Sequence, residues 1–374
     1  MLAAGDVTQS FADLVGKKLG VVGSGSDWKL TDARSLYGFR LKKAKLIQGE
    51  SVKLNVGFVG DSWSEYHRMP LNLYGRLVSE FGEAAGGGWL QFITDSLSNW
   101  LDMTVKTDGW TLYAARNTWT PSSHGCGVDG YANYTTTTTA TMQVTNIKAS
   151  NMNLYYFDED GSFRYAIDGG TPVTVTGGNT KTVKKITITG MSNSAQTLSI
   201  DTVGNTGTVS ILGAYLSSSD KGIVVNKMGC GGTVSGQHLR ILDQIPNFTP
   251  DLDLDLIILN LGVNDYLQNR EPSEYSLNIG KIIDAYKTAL PNVGFILVSP
   301  AQVNADSQYK MTDYRDAMKQ IAKDKGVEWF GFYDDMPSDY SAGNALGAYQ
   351  DNYHLSDIGA EAYITPIYQN FIKQ

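Results

Sequence analysis

The sequence predicts a doubly wound α/β core of parallel strands interrupted by an inserted all-β unit, a sandwich or jelly roll. Three observations predict it. Short apolar runs alternate with helical patterns near residues 51–88 and again after Gly222, and between them the pattern changes to Thr-rich alternation broken by Gly, Asn and Asp turns. Four of the seven tryptophans, Trp89, Trp100, Trp110 and Trp119, crowd into the start of that middle stretch. With 374 residues and 42% hydrophobic content, the chain is long enough for about two domains with packed cores, which excludes an intrinsically disordered protein.

Taken in order, residues 1–50 carry a mixed polar pattern. Gly20, Gly23 and Gly25 superficially resemble a phosphate loop, but the run lacks both the third spaced glycine of a dinucleotide site and the Lys-Ser/Thr of a P-loop, so it reads as a turn. Residues 53–59 form a short apolar run ending at Gly60-Asp61-Ser62, and Leu71, Leu73, Leu77, Val78 and Phe81 mark a helix beyond it: strand, tight turn, helix. Within 86–222, the stretches 134–144, 163–170, 182–189 and 197–201 alternate or are β-branched, as antiparallel strands require. Strands at 223–226, 254–261, 293–299 and 327–332 then alternate with helices near 237–242, 273–290 and 308–325 and after Ser356. Five strands alternating with helices imply a parallel sheet covered on both faces, a flavodoxin-like three-layer α/β/α core. The expected division is an N-terminal segment 1–50, core 51–88, an insert 89–222 with a core of its own and its ends side by side, and core 223–374.

Charge and cysteine usage narrow the partners. Thirty Lys and Arg against 38 Asp and Glu give a net charge of −8, and with no run of five basic residues nucleic acid is not an expected partner. No stretch of eighteen apolar residues occurs, and the N-terminus lacks the basic and apolar regions of a signal peptide, so no membrane partner is expected. Cys126 and Cys230 have no ligand spacing, so neither a zinc site nor a disulfide framework is indicated, and their pairing stays open. Twenty-one Tyr, 12 Phe and 7 Trp beside only 18% charged residues suit a β-rich protein that binds sugars in an extracellular or virion-associated setting.

The chemistry falls at strand ends, where open α/β sheets bind ligands. Ser62 follows the first strand, and a serine at such a turn presents both its Oγ and a free N–H. Gly231 and Gly232 follow the second strand and let backbone approach a substrate; Asn264 follows the third and aims an amide at the same place. Asp351 precedes His354 by three residues, so a general base and its orienting acid arrive on one loop, just ahead of a helix that Ser356 caps. His67, His124 and His238 lack a carboxylate at that spacing, and Asp61 is expected to hold the turn by hydrogen bonds.

Together these residues resemble the SGNH hydrolases, or GDSL-like esterases, whose four blocks contribute Ser, Gly, Asn and His in that order. Gly60-Asp61-Ser62 is similar to the first block, Gly231 or Gly232 to the second, Gly262-Val263-Asn264-Asp265 to the third, and Asp351 with His354 to the last. The resemblance covers roughly 51–88 and 223–374; it departs in reading GDSW at the first block and in leaving two glycines for one position. It implies a Ser62-His354-Asp351 triad, an oxyanion hole of Ser62, Gly231 or Gly232, and Asn264, an acyl-enzyme, and no metal or organic cofactor.

The aromatic β-rich insert resembles accessory domains of carbohydrate-active members, including deacetylases of bacteriophage tails. The expected activity is therefore removal of O-acetyl groups from an acetylated polysaccharide or oligosaccharide, a bacterial surface glycan, with the insert holding the polymer beside Ser62. The alternatives are a lipase or acyltransferase of the same fold, against which no long apolar lid segment is seen, and a glycan-binding protein with a vestigial site. Oligomeric state, sugar and acetyl position stay open.

Overall fold

The computed structural model describes residues 34–82 and 84–373, so the glycine run at 20–25 lies outside the described residues. Five parallel strands, β1 (Lys53–Gly60), β2 (Gly222–Gly229), β3 (Leu256–Asn260), β4 (Gly294–Val298) and β5 (Glu328–Phe330), form one sheet in the order β2-β1-β3-β4-β5. Every residue of β2 to β5 is buried, as are Leu54 to Gly60 of β1, which is why these segments read as continuous apolar runs and not as alternation. Gly60 is paired with Gly229 on one side and Asn260 on the other. The C-terminal ends of β1, β2 and β3 therefore finish in one row, at the point where the strand order reverses.

The covering helices are α1 (Tyr37–Ile47), α2 (Arg68–Phe81), α3 (Pro272–Ala289), α4 (Met311–Lys325) and α5 (Asp357–Ile367). Helix α2 packs on β2 and α5, and α3 packs on α4. No described helix is long and apolar enough to cross a membrane. Helix α1 lies within the stretch whose polar pattern gave no helix. It buries Phe39 and Leu46, and its Lys43 reaches inward to donate to the Ile372 carbonyl at 2.7 Å.

Between α2 and β2 the chain builds two antiparallel sheets. One orders Val183–Thr189, Asn151–Phe157, Val209–Ser217, Tyr131–Thr135 and Thr111–Ala114, with Gly88–Leu90 on the far part of Val209–Ser217; the other orders Thr104–Asp108, Thr141–Ile147, Gln196–Asp201, Ser162–Ile167 and Val173–Thr176. The Thr-rich stretch 134–144, read as one strand, is two: it leaves one sheet after Thr135 and enters the other at Thr141. Threonine favours strand geometry in either sheet, so composition alone carries no mark of the crossing.

Both ends of the insert lie together, since Leu90 is paired with Ala214 and the Ala85 N–H donates to the Ile223 carbonyl of β2 at 2.8 Å. The insert does not keep a separate core. One apolar cluster runs from Trp89, Leu154 and Leu216 to Val225 and Phe248, with the Phe248 ring 5.2 Å from Trp89 and 4.8 Å from Tyr155. Asp251, on the same turn of chain as Phe248, accepts hydrogen bonds from Asn153, Tyr155 and Lys185 of the insert. Trp89 and Trp100 are thus buried supports, Trp110 is half-buried, and Trp119 alone of the four is exposed, at 42%.

Candidate active site

Strand β1 can end as it does only because residue 60 is glycine. Its φ is +154°, and a Cβ there would stand 1.8 Å from the Asn260 carbonyl oxygen. Asp61 then caps the short helix Ser62–Glu65, its Oδ1 accepting the Trp63 N–H at 3.0 Å. As first residue of that helix, Ser62 keeps an N–H with no intrahelical acceptor, and no other acceptor for it exists among the described residues.

Burial pushes the Asp61 carboxyl up to about 7, with the nearby charges of Asp265 and Glu65 adding to it and the Trp63 N–H opposing. The folded chain therefore holds this proton between about pH 4 and 7, where the unfolded chain has lost it, and the stability it contributes falls as pH rises through that window. In thermal melts across pH 4 to 8, wild type should lose Tm more steeply than Asp61→Asn; parallel curves would rule out this titration.

The His354 loop meets Ser62 from the C-terminal side of the sheet. His354 Nε2 lies 2.9 Å from Ser62 Oγ, and Nδ1 lies 3.0 and 2.9 Å from the two Asp351 oxygens. Burial opposes the charge on Asp351, but the Tyr353 N–H and the His354 side chain and N–H outweigh it and hold the carboxyl below the usual carboxylate range. With the proton of the imidazole on Nδ1, Nε2 is left to accept from Oγ–H. Two contacts hold the loop against the serine turn: Trp63 Nε1 donates to the Tyr353 carbonyl at 3.0 Å, and the Tyr66 ring lies 4.9 Å from the imidazole. Ser356 caps α5, accepting the Gly359 N–H at 3.2 Å.

On the other side stand the oxyanion candidates. Gly262, at φ +127°, turns the chain from β3 into a short helix carrying Asn264, whose Nδ2 is buried beside the Asp61 carboxyl and makes no well-formed hydrogen bond among the described residues. After β2, the Thr233 N–H closes a turn onto the Cys230 carbonyl at 3.2 Å, with Gly232 at φ +79° in the third position, where a type II turn requires glycine. The two glycines are not equivalent. The Gly231 N–H donates to the Glu65 carboxylate, whereas the Gly232 N–H has no acceptor among the described residues. Three donors without a well-formed hydrogen bond among the described residues, Ser62 N–H, Gly232 N–H and Asn264 Nδ2, thus sit on the three adjacent strand ends.

The remaining histidines lie elsewhere. His238 is buried and held neutral, its pKa pushed down to about 4 by burial; His67 Nδ1 contacts the Leu97 carbonyl at 2.7 Å; His124 pairs with Glu159 at 2.7 Å inside the insert. Cys126 and Cys230 are both buried and unpaired. Among the described residues no group of three or more His, Cys, Asp or Glu is arranged to hold a metal ion. Absent from the sequence reading are Glu65, Ser98, Arg116, Tyr131 and Lys227, which surround the glycine turn. No spacing rule marks them, because their contacts join distant parts of the chain.

A model of the GDSL-like Lipase/Acylhydrolase family matches residues 190–362. That stretch takes in both glycines, Asn264, Asp351 and His354 but not Ser62, which the fold brings to them. No curated protein matches the chain. Among solved structures, a peptidoglycan O-acetylesterase superposes with a TM-score of 0.71 at 18% identity, over 92% of this chain and 97% of that one, so the likeness in fold takes in core and insert together. A salicylyl-acyltransferase of a tetracycline biosynthetic pathway aligns at 12% identity over 72% of this chain and 94% of its own, with a TM-score of 0.34. An acetylxylan esterase of Geobacillus stearothermophilus aligns at 19% identity over 40% and 73%, with a TM-score of 0.30.

Proposed function

We propose that this chain, which is similar to the GDSL-like lipase/acylhydrolase family over residues 190–362, is a carboxylic-ester hydrolase that removes O-acetyl groups from a carbohydrate polymer by a Ser62-His354-Asp351 triad. The observation that carries the reading is the continuous hydrogen-bonded relay from Ser62 Oγ through His354 to Asp351 at the end of β1. His354 takes the Oγ proton as Oγ attacks the ester carbonyl, and the oxyanion is received by the Ser62 N–H, the Gly232 N–H and Asn264 Nδ2. The tetrahedral adduct collapses to an acetyl-serine, and His354 returns the proton to the departing sugar oxygen. Water, deprotonated by the same imidazole, then releases acetate and restores Oγ–H.

The carbohydrate part of the reading is supported by the likeness over nearly the whole chain to an enzyme that acts on peptidoglycan O-acetyl groups, which makes a bacterial surface glycan the first substrate to test. Acetate release should be measured on O-acetylated peptidoglycan, acetylated xylan and other acetylated polysaccharides, beside p-nitrophenyl esters of increasing chain length. We expect acetyl esters to be cleaved at least about tenfold faster than octanoyl esters, and at least one acetylated polymer to release acetate. A preference for octanoyl esters would point to a lipase, and inertness toward all esters to a binding protein.

A further inference from the structure

The turn that carries Gly231 and Gly232 is held by side chains from outside its own strand. Glu65, three residues after Ser62 and only 3% exposed, accepts from Ser98 Oγ at 2.8 Å, from the Tyr131 hydroxyl at 2.6 Å and from the Gly231 N–H. Arg116 Nη1 donates to the Gly231 carbonyl at 2.9 Å and to the Tyr131 hydroxyl oxygen at 3.1 Å. Buried Lys227 donates to the carbonyls of Glu65 and Ser98, each at 2.6 Å. Ser98, Arg116 and Tyr131 belong to the β-rich insert; Glu65, Lys227 and the glycine turn belong to the α/β core.

We propose that Glu65 and Arg116 are positioning residues that fix the Gly231–Gly232 peptide so that its N–H faces the developing oxyanion, which makes the insert part of the catalytic apparatus. In a trans peptide the carbonyl and the N–H point in opposite directions, so a guanidinium gripping the Gly231 carbonyl orients the Gly232 N–H away from itself. Glu65 fixes the preceding peptide plane through the Gly231 N–H, in a charge-assisted bond. Two consecutive glycines have the most backbone freedom to lose, so without these restraints the donor would have to be ordered during the reaction. The charges of Lys227 and Arg116, both close enough to Glu65 to interact with it, offset the negative charge of Glu65, which would otherwise oppose an oxyanion close by.

The proposal rests on the serine-esterase reading, and the test separates the two. Wild type, Arg116→Ala, Arg116→Lys and Glu65→Gln are compared in p-nitrophenyl acetate hydrolysis, in reversible inhibition by a small alkylboronic acid that forms a tetrahedral adduct on Oγ, and in thermal melts. Labelling of Ser62 by a fluorophosphonate is scored in parallel. Arg116→Ala should lower kcat by roughly 10- to 100-fold with KM changed less than about twofold, weaken the boronate by a matching factor, and be partly rescued by lysine. Glu65→Gln should act in the same direction, and Arg116, being exposed, keeps the test open should the buried variant fail to fold. Unchanged kcat and boronate affinity in Arg116→Ala, or a loss confined to Tm, would overturn the proposal. Wild type that neither cleaves the ester nor takes the label would overturn the esterase reading and this proposal with it, whereas a labelled, active wild type with an indifferent Arg116→Ala would overturn the positioning roles alone.

Discussion

Ser62→Ala is expected to lower kcat on p-nitrophenyl acetate by roughly 10^4- to 10^6-fold, leaving only the residual rate that oxyanion donors and binding supply without a nucleophile. Among the described residues the Ser62 side chain makes a single hydrogen bond, to His354 Nε2, and it is 8% exposed, so its removal leaves a small void and no other described group unpaired besides the imidazole. Stability should stay within about 1 kcal/mol of wild type. Kinetics on protein verified by thermal melt separate the two effects. Retention of even a tenth of the wild-type rate would remove Ser62 from the nucleophile's place.

The next largest effect is expected at Asn264. Its Nδ2 is buried, lies beside the Asp61 carboxyl without a well-formed hydrogen bond to it, and has no other acceptor among the described residues. Such a donor costs free energy in the resting protein and regains it when an oxyanion forms. Asn264→Ala should therefore lower kcat by roughly 10^2- to 10^3-fold, equivalent to about 3 to 4 kcal/mol, with KM nearly constant and Tm unchanged or slightly raised. Asn264→Asp should be more damaging still, since it sets a carboxylate against the developing charge and next to the buried Asp61. A rise in KM with kcat preserved would make Asn264 a ground-state binding residue and not an oxyanion donor.

The parts of this architecture that are legible in the sequence are those whose signal is local. Strands buried on both faces leave apolar runs, and β3, β4 and β5 fall within those runs, while β1 continues one residue past its run to Gly60 and β2 extends beyond 223–226 at both ends, to Gly222 and Gly229. Asp351 and His354 stand three residues apart, and their contact follows from that spacing. Helix α1 escapes because its inward face includes Lys43, whose ammonium is satisfied by carbonyls at the far end of the chain, so a buried lysine breaks the apolar stripe. The choice between Gly231 and Gly232 escapes because it depends on which N–H a distant carboxylate takes. Glu65 draws its three donors from positions 98, 131 and 231, and no pattern on the Ser62 turn announces them.

The position of the insert also sets an order of assembly. Strand β1 has only two neighbours, β2 and β3, and its pairing begins with Lys53 against Gly222. A chain emerging from the ribosome makes the strand that leads to Ser62 early, yet that strand has nothing to pair with until the whole all-β segment has followed it. Contacts so distant in sequence are slow to close, and the apolar residues of β1 stay exposed to wrong partners in the meantime. The Ser62 turn is thus synthesised before the all-β segment and assembled only after it.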